Sequence, residues 1–188
     1  MHIGILGAAF NPPHIGHMLI AQQVLDFSDI ERIWWLPVYK HTFDKSLVDV
    51  VDRVAMLSLL KMLGAQLSTL EIDNRLDGNT INLLPILRQQ FPNDHFTFII
   101  GSDNLPTFHK WGKWQELLRQ LPFLVVERAG YPLKPLYQDM KILEHPLFIT
   151  TNISSTLVRA RIKTNLSIDH LVTGEVRDYI EAHKLYAK

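Results

Sequence analysis

No cysteine occurs among the 188 residues. Disulfide frameworks and thiol nucleophiles are thereby excluded, and the composition fits a reducing compartment. Neither charge is in excess: Lys+Arg and Asp+Glu number 19 each. A broad basic face for nucleic acid is not implied, so any positive field must be local and no nucleic-acid partner is expected. The chain opens on no basic leader followed by an apolar stretch, and no apolar run is long enough to span a bilayer. A cytoplasmic protein with no membrane partner is expected. Internal repeats, low-complexity segments and linkers are also missing. What is there is 47% hydrophobic residues, enough for a sizeable core. The length suits one domain over 1–188, with 164–188 as a C-terminal helical subregion.

The pattern along the chain predicts an α/β fold, a Rossmann-like doubly wound, mostly parallel sheet with helices on both faces. Residues 3–6 read as a first strand and 14–27 as a helix. Residues 32–37, closed by Pro37, read as a second strand. Further strands are expected over 66–72, 95–100, 121–126 and 146–151. Helices are expected over 49–63, with Val51, Ala55, Leu59 and Met62 as the buried stripe, over 81–90 and 173–185, and after Ser154-Ser155-Thr156 to about Lys163.

The stretch from Ile3 to Met18 organises the rest. A strand runs into Gly7-Ala8-Ala9, three small residues that let a phosphate approach the backbone. Phe10-Asn11-Pro12-Pro13 is turn chemistry, and a helix follows. The first N–H groups of a helix lack intrahelical partners and attract anions. His14 and His17, three apart, share one face of the first turn. Zinc is the other use of such a pair, but no Cys or nearby carboxylate completes a zinc site, so no protein metal site is expected. The pattern predicts a polyphosphate site. A second stretch, Ile153-Ser154-Ser155-Thr156-Leu157-Val158-Arg159, has the same character. One hydroxyl should cap a helix, the others can meet phosphate, and Arg159 can fork onto phosphate oxygens.

Between these lie weaker candidates. Lys40, His41 and Lys45 follow a strand end, where α/β sheets hold ligands, and can meet phosphate. Gly101 and Asp103 follow a strand apolar on both faces. Trp111 and Trp114 suit either stacking on a flat ring or core packing. Arg53, early in its helix, either is structural or points at the loop before it.

Gly7, Phe10, Pro12, His14, Gly16 and His17 resemble the signature of the nucleotidyltransferase α/β superfamily, and ISSTLVR resembles its second motif without a mismatch. GSDNLPTFHKWGKW, VERAGYPL, the region of Asn79-Thr80-Ile81 and the ending VRDYIEAHKLY extend the resemblance along the chain to bacterial nicotinate mononucleotide adenylyltransferases. The resemblance implies an enzyme of NAD biosynthesis. It would transfer AMP from ATP to nicotinate or nicotinamide mononucleotide and release pyrophosphate, with Mg²⁺ carried by ATP.

On the ATP side it implies Gly7, Ala8, Ala9, Phe10, His14, Gly16, His17, Gly101, Asp103, Ser154, Ser155, Thr156 and Arg159. The catalytic groups would be His17 at the α-phosphate, His14 on the phosphate chain and Arg159 with Thr156 at the β and γ groups. The acceptor would meet Lys40, His41, Lys45, Thr80, Asp103, Trp111 and Arg128, with Trp111 stacked on the pyridine ring. A homo-oligomer is compatible with this sequence, which is silent on assembly.

The chain departs from the family in four places. Ala8, Ala9 and Asn11 stand where Gly, Thr and Asp are usual, YKHTFDK replaces a PPHK loop, Leu83 replaces a Thr, and Gly112 an aromatic. Three other readings stay open. One is a superfamily member with another acceptor (pantetheine phosphate, a flavin) or with CTP. Another is a paralogue that binds nucleotide without turnover. The third comes from the run His14-Ile15-Gly16-His17, shared with class I aminoacyl-tRNA synthetases, although neither a KMSKS-type loop nor room for a tRNA-binding domain accompanies it.

Overall fold

A computed structural model describes residues 1–40 and 47–187. Six short runs, rich in β-branched and aromatic residues, form a single sheet: β1 (His2–Ala8), β2 (Arg32–Pro37), β3 (Ala65–Leu67), β4 (His95–Gly101), β5 (Phe123–Val126) and β6 (Met140–Ile142). Their order is β3-β2-β1-β4-β5-β6, and each pairing is parallel. This is the expected doubly wound, Rossmann-like arrangement.

Alternation along the strands feeds two cores. Ile3, Ile5, Trp34, Leu36, Phe98, Ile100, Phe123 and Val125 face one side; Leu6, Ile33, Trp35, Ile99, Leu124 and Val126 face the other. On the second side pack α1 (Ile15–Phe27), α2 (Val50–Ser58), α6 (Ser155–Lys163) and α7 (Gly174–Ala182), through Val24, Leu57, Val158 and Val176. The first side is covered by α3 (Leu70–Asp73), a 3₁₀ turn (Thr80–Leu83), α4 (Leu84–Gln90), a second 3₁₀ segment (Ser102–Lys110) and α5 (Trp114–Gln120). Among the described residues, no helix is long and apolar enough to cross a membrane.

Three sequence expectations are corrected. The run 66–72 is a strand only to Leu67. Thr69 then donates its hydroxyl to Asp73 Oδ2 at 2.7 Å, and a short helix takes over. Residues 146–151 are not a strand. The sheet edge is taken by β6, Pro146 has no N–H to give, and Leu147 and Ile149 stand 72% and 60% exposed. The helix expected over 49–63 ends at Ser58, and its buried face carries Arg53, Met56 and Leu57, while Val51 is 70% exposed.

β1 sits where the chain reverses direction across the sheet, with β2 on one side and β4 on the other. The loops leaving β1 and β4 therefore diverge, and the crevice between their carboxyl ends is where such sheets bind ligands.

Candidate active site

A cavity of about 320 Å³ opens in that crevice, lined by Gly7, Ala8, Ala9, His17, Lys40, Thr80, Gly101, Asp103, Trp111 and Arg128 among others. A wider cleft of about 890 Å³ lies at the opposite end of the strands, around His2, His95 and Leu121. Gly7, Ala8, Ala9 and His17 of the first motif line the smaller cavity and not that cleft, while Ser154, Ser155, Thr156 and Arg159 line neither.

The first loop is shaped by close approach. A Cβ on Gly7 would stand 2.6 Å from Phe98 Cζ, so only glycine lets the β4 ring lie over β1. Phe10 adopts a positive φ of 48° and is 1% exposed, its ring packed on His17 at 4.7 Å and edge-on to Trp35 at 6.1 Å. Phe10 is thus a core anchor behind His17 and not part of the cavity wall. Gly16 is buried as well; a Cβ there would meet His14 Nδ1 at 2.9 Å and the Ile153 carbonyl at 3.2 Å.

The two histidines stack, with ring centroids 3.7 Å apart. The His14 N–H donates to His17 Nδ1 at 3.1 Å. With Nδ1 accepting, a neutral His17 carries its proton on Nε2, the nitrogen left for the cavity. Burial, with the nearby Arg128 charge, pushes the His17 imidazole down to about 3. His14 is 5% exposed, and burial holds it well below the usual imidazole range. Its Nδ1 has no hydrogen-bond partner among the described residues. Both rings are therefore neutral at physiological pH, and of the first α1 amides Ile15 N–H donates to the Leu171 carbonyl and His17 N–H to the His14 carbonyl.

The second motif meets the first directly. Ser154 caps α6 by accepting from the Leu157 N–H at 3.1 Å. Ser155 donates its hydroxyl to the Pro12 carbonyl at 2.8 Å, and Arg159 donates from Nη1 to the Asn11 carbonyl at 2.8 Å. Its Nη2 is 3.4 Å from Thr156 Oγ1, and Thr156 is exposed. Two helix starts separated by 140 residues are thus locked to one loop.

Asp103 and Arg128 leave neighbouring strands and pair at 2.6 Å. Arg128 Nη2 also reaches the Ile153 carbonyl at 3.4 Å, so the pair ties β4 and β5 to the second motif. A Cβ on Gly101 would collide with the Asp103 carboxylate. Trp111 packs on Phe98 and Phe108 while keeping a place in the cavity wall. Trp114 packs on Phe108 and Tyr137. Thr80 is presented by a turn that Asp77 organises, accepting from the Asn79 backbone and side chain and from Asn82. Gly112 leaves room for Asn79, whose Oδ1 would be 2.7 Å from a Cβ there. Leu83 is fully buried in the core. Lys40 is exposed at the cavity; His41 and Lys45 lie outside the described residues.

Three residues gain roles that spacing does not reveal. Arg53 is 1% exposed and donates to the carbonyls of Ala9, Val38, Tyr39 and Val48, which binds the loops after β1 and β2 together. Asn11 Oδ1 accepts from the Tyr186 hydroxyl at 2.9 Å and from the Val48 N–H at 3.3 Å. The position uses an acceptor oxygen, which Asn has as well as Asp. Glu71 lines the cavity, is 3% exposed and keeps Oε2 without a hydrogen-bond partner among the described residues. Burial pushes its carboxyl up to about 7, against a hydrogen bond from the Tyr39 backbone. Nothing in the sequence pattern marks Glu71, which falls inside the strand expected over 66–72.

The chain matches the cytidylyltransferase-like family model over residues 5–161. It is 34% identical to nicotinate-nucleotide adenylyltransferase of Bacillus subtilis, with 98% of this chain and 97% of that protein covered. It is 32% identical to probable nicotinate-nucleotide adenylyltransferase of Salinibacter ruber, with 99% and 98% covered. Its fold superposes on Plasmodium falciparum nicotinic acid mononucleotide adenylyltransferase complexed with NaAD, at a TM-score of 0.80 and 22% identity over 98% of this chain and 97% of that one.

Proposed function

We infer that this chain, a member of the nicotinate-nucleotide adenylyltransferase family within the cytidylyltransferase-like proteins, transfers AMP from ATP to the phosphate of nicotinate mononucleotide. An oxygen of the acceptor phosphate attacks the α-phosphorus, the bond to the β-phosphate breaks, and pyrophosphate leaves with the dinucleotide formed. No covalent enzyme intermediate is required. Aligning the two substrates and offsetting charge supply the catalysis.

In this reading the His17 Nε2–H donates to an α-phosphate oxygen, His14 and the α1 amides hold the phosphate chain, and Thr156, Arg159 and the α6 start hold the β and γ groups. Trp111 stacks on the pyridine ring, and Thr80 lies beside it. Lys40 and Arg128 offset the acceptor's charge, and Asp103 fixes Arg128 and the ribose side. Among the described residues no group of three or more His, Cys, Asp or Glu side chains could hold a metal ion. The divalent ion of this reaction comes with its substrate, as Mg²⁺ bound to the triphosphate. A cytoplasmic location belongs to the same reading.

The observation that carries it is the double tie of α6 to the first loop, Ser155 to the Pro12 carbonyl and Arg159 to the Asn11 carbonyl. That tie supports two positive helix ends serving one triphosphate. Pyrophosphate release should be measured with ATP and Mg²⁺ and each of nicotinate mononucleotide, nicotinamide mononucleotide, pantetheine phosphate and flavin mononucleotide, then with CTP. Release with a pyridine mononucleotide and ATP is expected. Release with another acceptor alone, or nucleotide binding without release, would overturn the assignment.

A further inference from the structure

We propose that Glu71 is a further acceptor-binding residue, whose unpartnered carboxyl oxygen takes a hydrogen bond from a ribose hydroxyl of the mononucleotide. This rests on the reading above that the acceptor is a pyridine mononucleotide. Glu71 is in α3, which follows the short edge strand β3, yet its side chain reaches the cavity beside Val38, Lys40 and the Gly78-Asn79-Thr80 turn. One carboxyl oxygen is engaged by the Tyr39 backbone. The other, Oε2, is shut off from bulk water and has no partner among the described residues. An unsatisfied buried carboxyl oxygen is expensive to keep, and most buried polar groups have a partner. Of the two such side-chain atoms among the described residues, the other is His14 Nδ1, beside the phosphate site.

The acceptor's own chemistry selects the donor. A nicotinate mononucleotide carries two anionic groups, the ring carboxylate and the phosphate, and at neutral pH both only accept hydrogen bonds. A carboxylate next to either would repel it, and Asp77 already adds negative charge on this side. The ribose hydroxyls are the donors that remain. The positive pyridinium nitrogen one bond from the ribose makes the same region electrostatically favourable for Glu71. A hydroxyl donating to Oε2 favours the ionised carboxyl and removes the unsatisfied atom in one step.

The test is a comparison of two enzymes with two acceptors. Parent and Glu71→Gln proteins are assayed at saturating ATP with the ribo mononucleotide and with its 2′-deoxy and 3′-deoxy analogues. Glutamine has one acceptor oxygen for two donors, the Tyr39 N–H and the hydroxyl. In the parent, loss of the contacted hydroxyl should raise the acceptor KM about tenfold or more, the size of a hydrogen bond to a charged group. In Glu71→Gln the ribo acceptor KM should rise by a similar factor, the KM for ATP should stay within about twofold, and the deoxy penalty should shrink to about twofold or less.

A residue that merely holds α3 in place would leave the deoxy penalty unchanged. Equal penalties in both enzymes, or a parallel rise in the KM for ATP, would overturn the role of Glu71 while leaving the adenylyl-transfer reading intact. A parent enzyme inactive with every mononucleotide would overturn both. Should Glu71→Gln fail to fold, Glu71→Asp carries the same comparison. It keeps both oxygens one methylene further back and should lose the deoxy discrimination in part.

Discussion

His17 is a hydrogen-bond donor by construction. The His14 N–H occupies Nδ1, burial keeps the ring neutral, and the remaining proton sits on Nε2. In the proposed reaction that proton meets charge building on the α-phosphate. Replacing His17 by Ala should lower kcat about a hundredfold or more with the thermal midpoint little changed, as for other transition-state donors. With the imidazole near 3, its charge does not change between pH 5.5 and 8. The ratio of parent to His17→Ala kcat/KM, which reports the free enzyme, should therefore be flat across that range. A ratio that bends near the usual imidazole value of 6.5 would show that His17 titrates in the free enzyme, against the structure's account. At this scale the sequence was partly legible. The spacing of His14 and His17 already put both on one turn, because helix geometry is local. Glu71 was invisible, because an orphaned oxygen is a property of packing and no local pattern encodes it.

At the scale of elements, α2 shows how a charged residue can hide the true face of a helix. Apolar spacing alone puts Val51, Ala55, Leu59 and Met62 inward. The helix is instead rotated so that Arg53 is buried, because four loop carbonyls need its donors. The alternation of β1, β2 and β4 was readable because their burial follows the pleat. The edges were not readable: β6 has three residues, and 143–153 is held by other means. Gln23 of α1 accepts from the Ile149 N–H and donates to the Ile149 carbonyl at 3.1 Å, one side chain standing in for a neighbouring strand. Arg53 predicts its own test. Arg53→Met keeps the apolar stem and leaves buried carbonyls of Ala9, Val38, Tyr39 and Val48 short of donors. Unsatisfied buried acceptors cost roughly 1–3 kcal/mol each, so a loss of about 3 kcal/mol or more is expected in urea unfolding. Arg53→Lys should recover little, since an ammonium cannot fan out to the same carbonyls. A loss below about 0.5 kcal/mol for Arg53→Met would mean that the loops hold themselves.

Across the whole molecule, the site exists only when distant parts of the chain have docked: Asn11 is held from α6 by Arg159 and from the C-terminal segment by Tyr186. Among the groups whose protonation folding changes, His14, His17 and Glu71 act between pH 5 and 7, and they oppose one another. His14 and His17 stay neutral when folded, whereas free imidazoles take up protons near 6.5. Below that pH the unfolded chain binds protons that the folded one does not, so stability falls as pH drops through 6.5. At pH 5 His17 alone should cost about 2 kcal/mol relative to pH above 7, and His14 acts in the same direction.

Glu71 runs the other way. Its folded carboxyl is near 7 against a usual 4.5, so between those values the folded chain holds the extra proton and stability rises as pH falls. Over pH 7 to 5 this offsets roughly 2–3 kcal/mol of the histidine loss. The parent should therefore lose thermal midpoint only gently on acidification. Glu71→Gln, with no proton to take up, should start from an equal or higher midpoint at pH 7 and fall more steeply, by several degrees more at pH 5. Thermal melts of both proteins at pH 5, 6, 7 and 8 decide it. Parallel midpoint curves would mean that Glu71 titrates alike in the folded and unfolded chains, and that its burial has no energetic consequence.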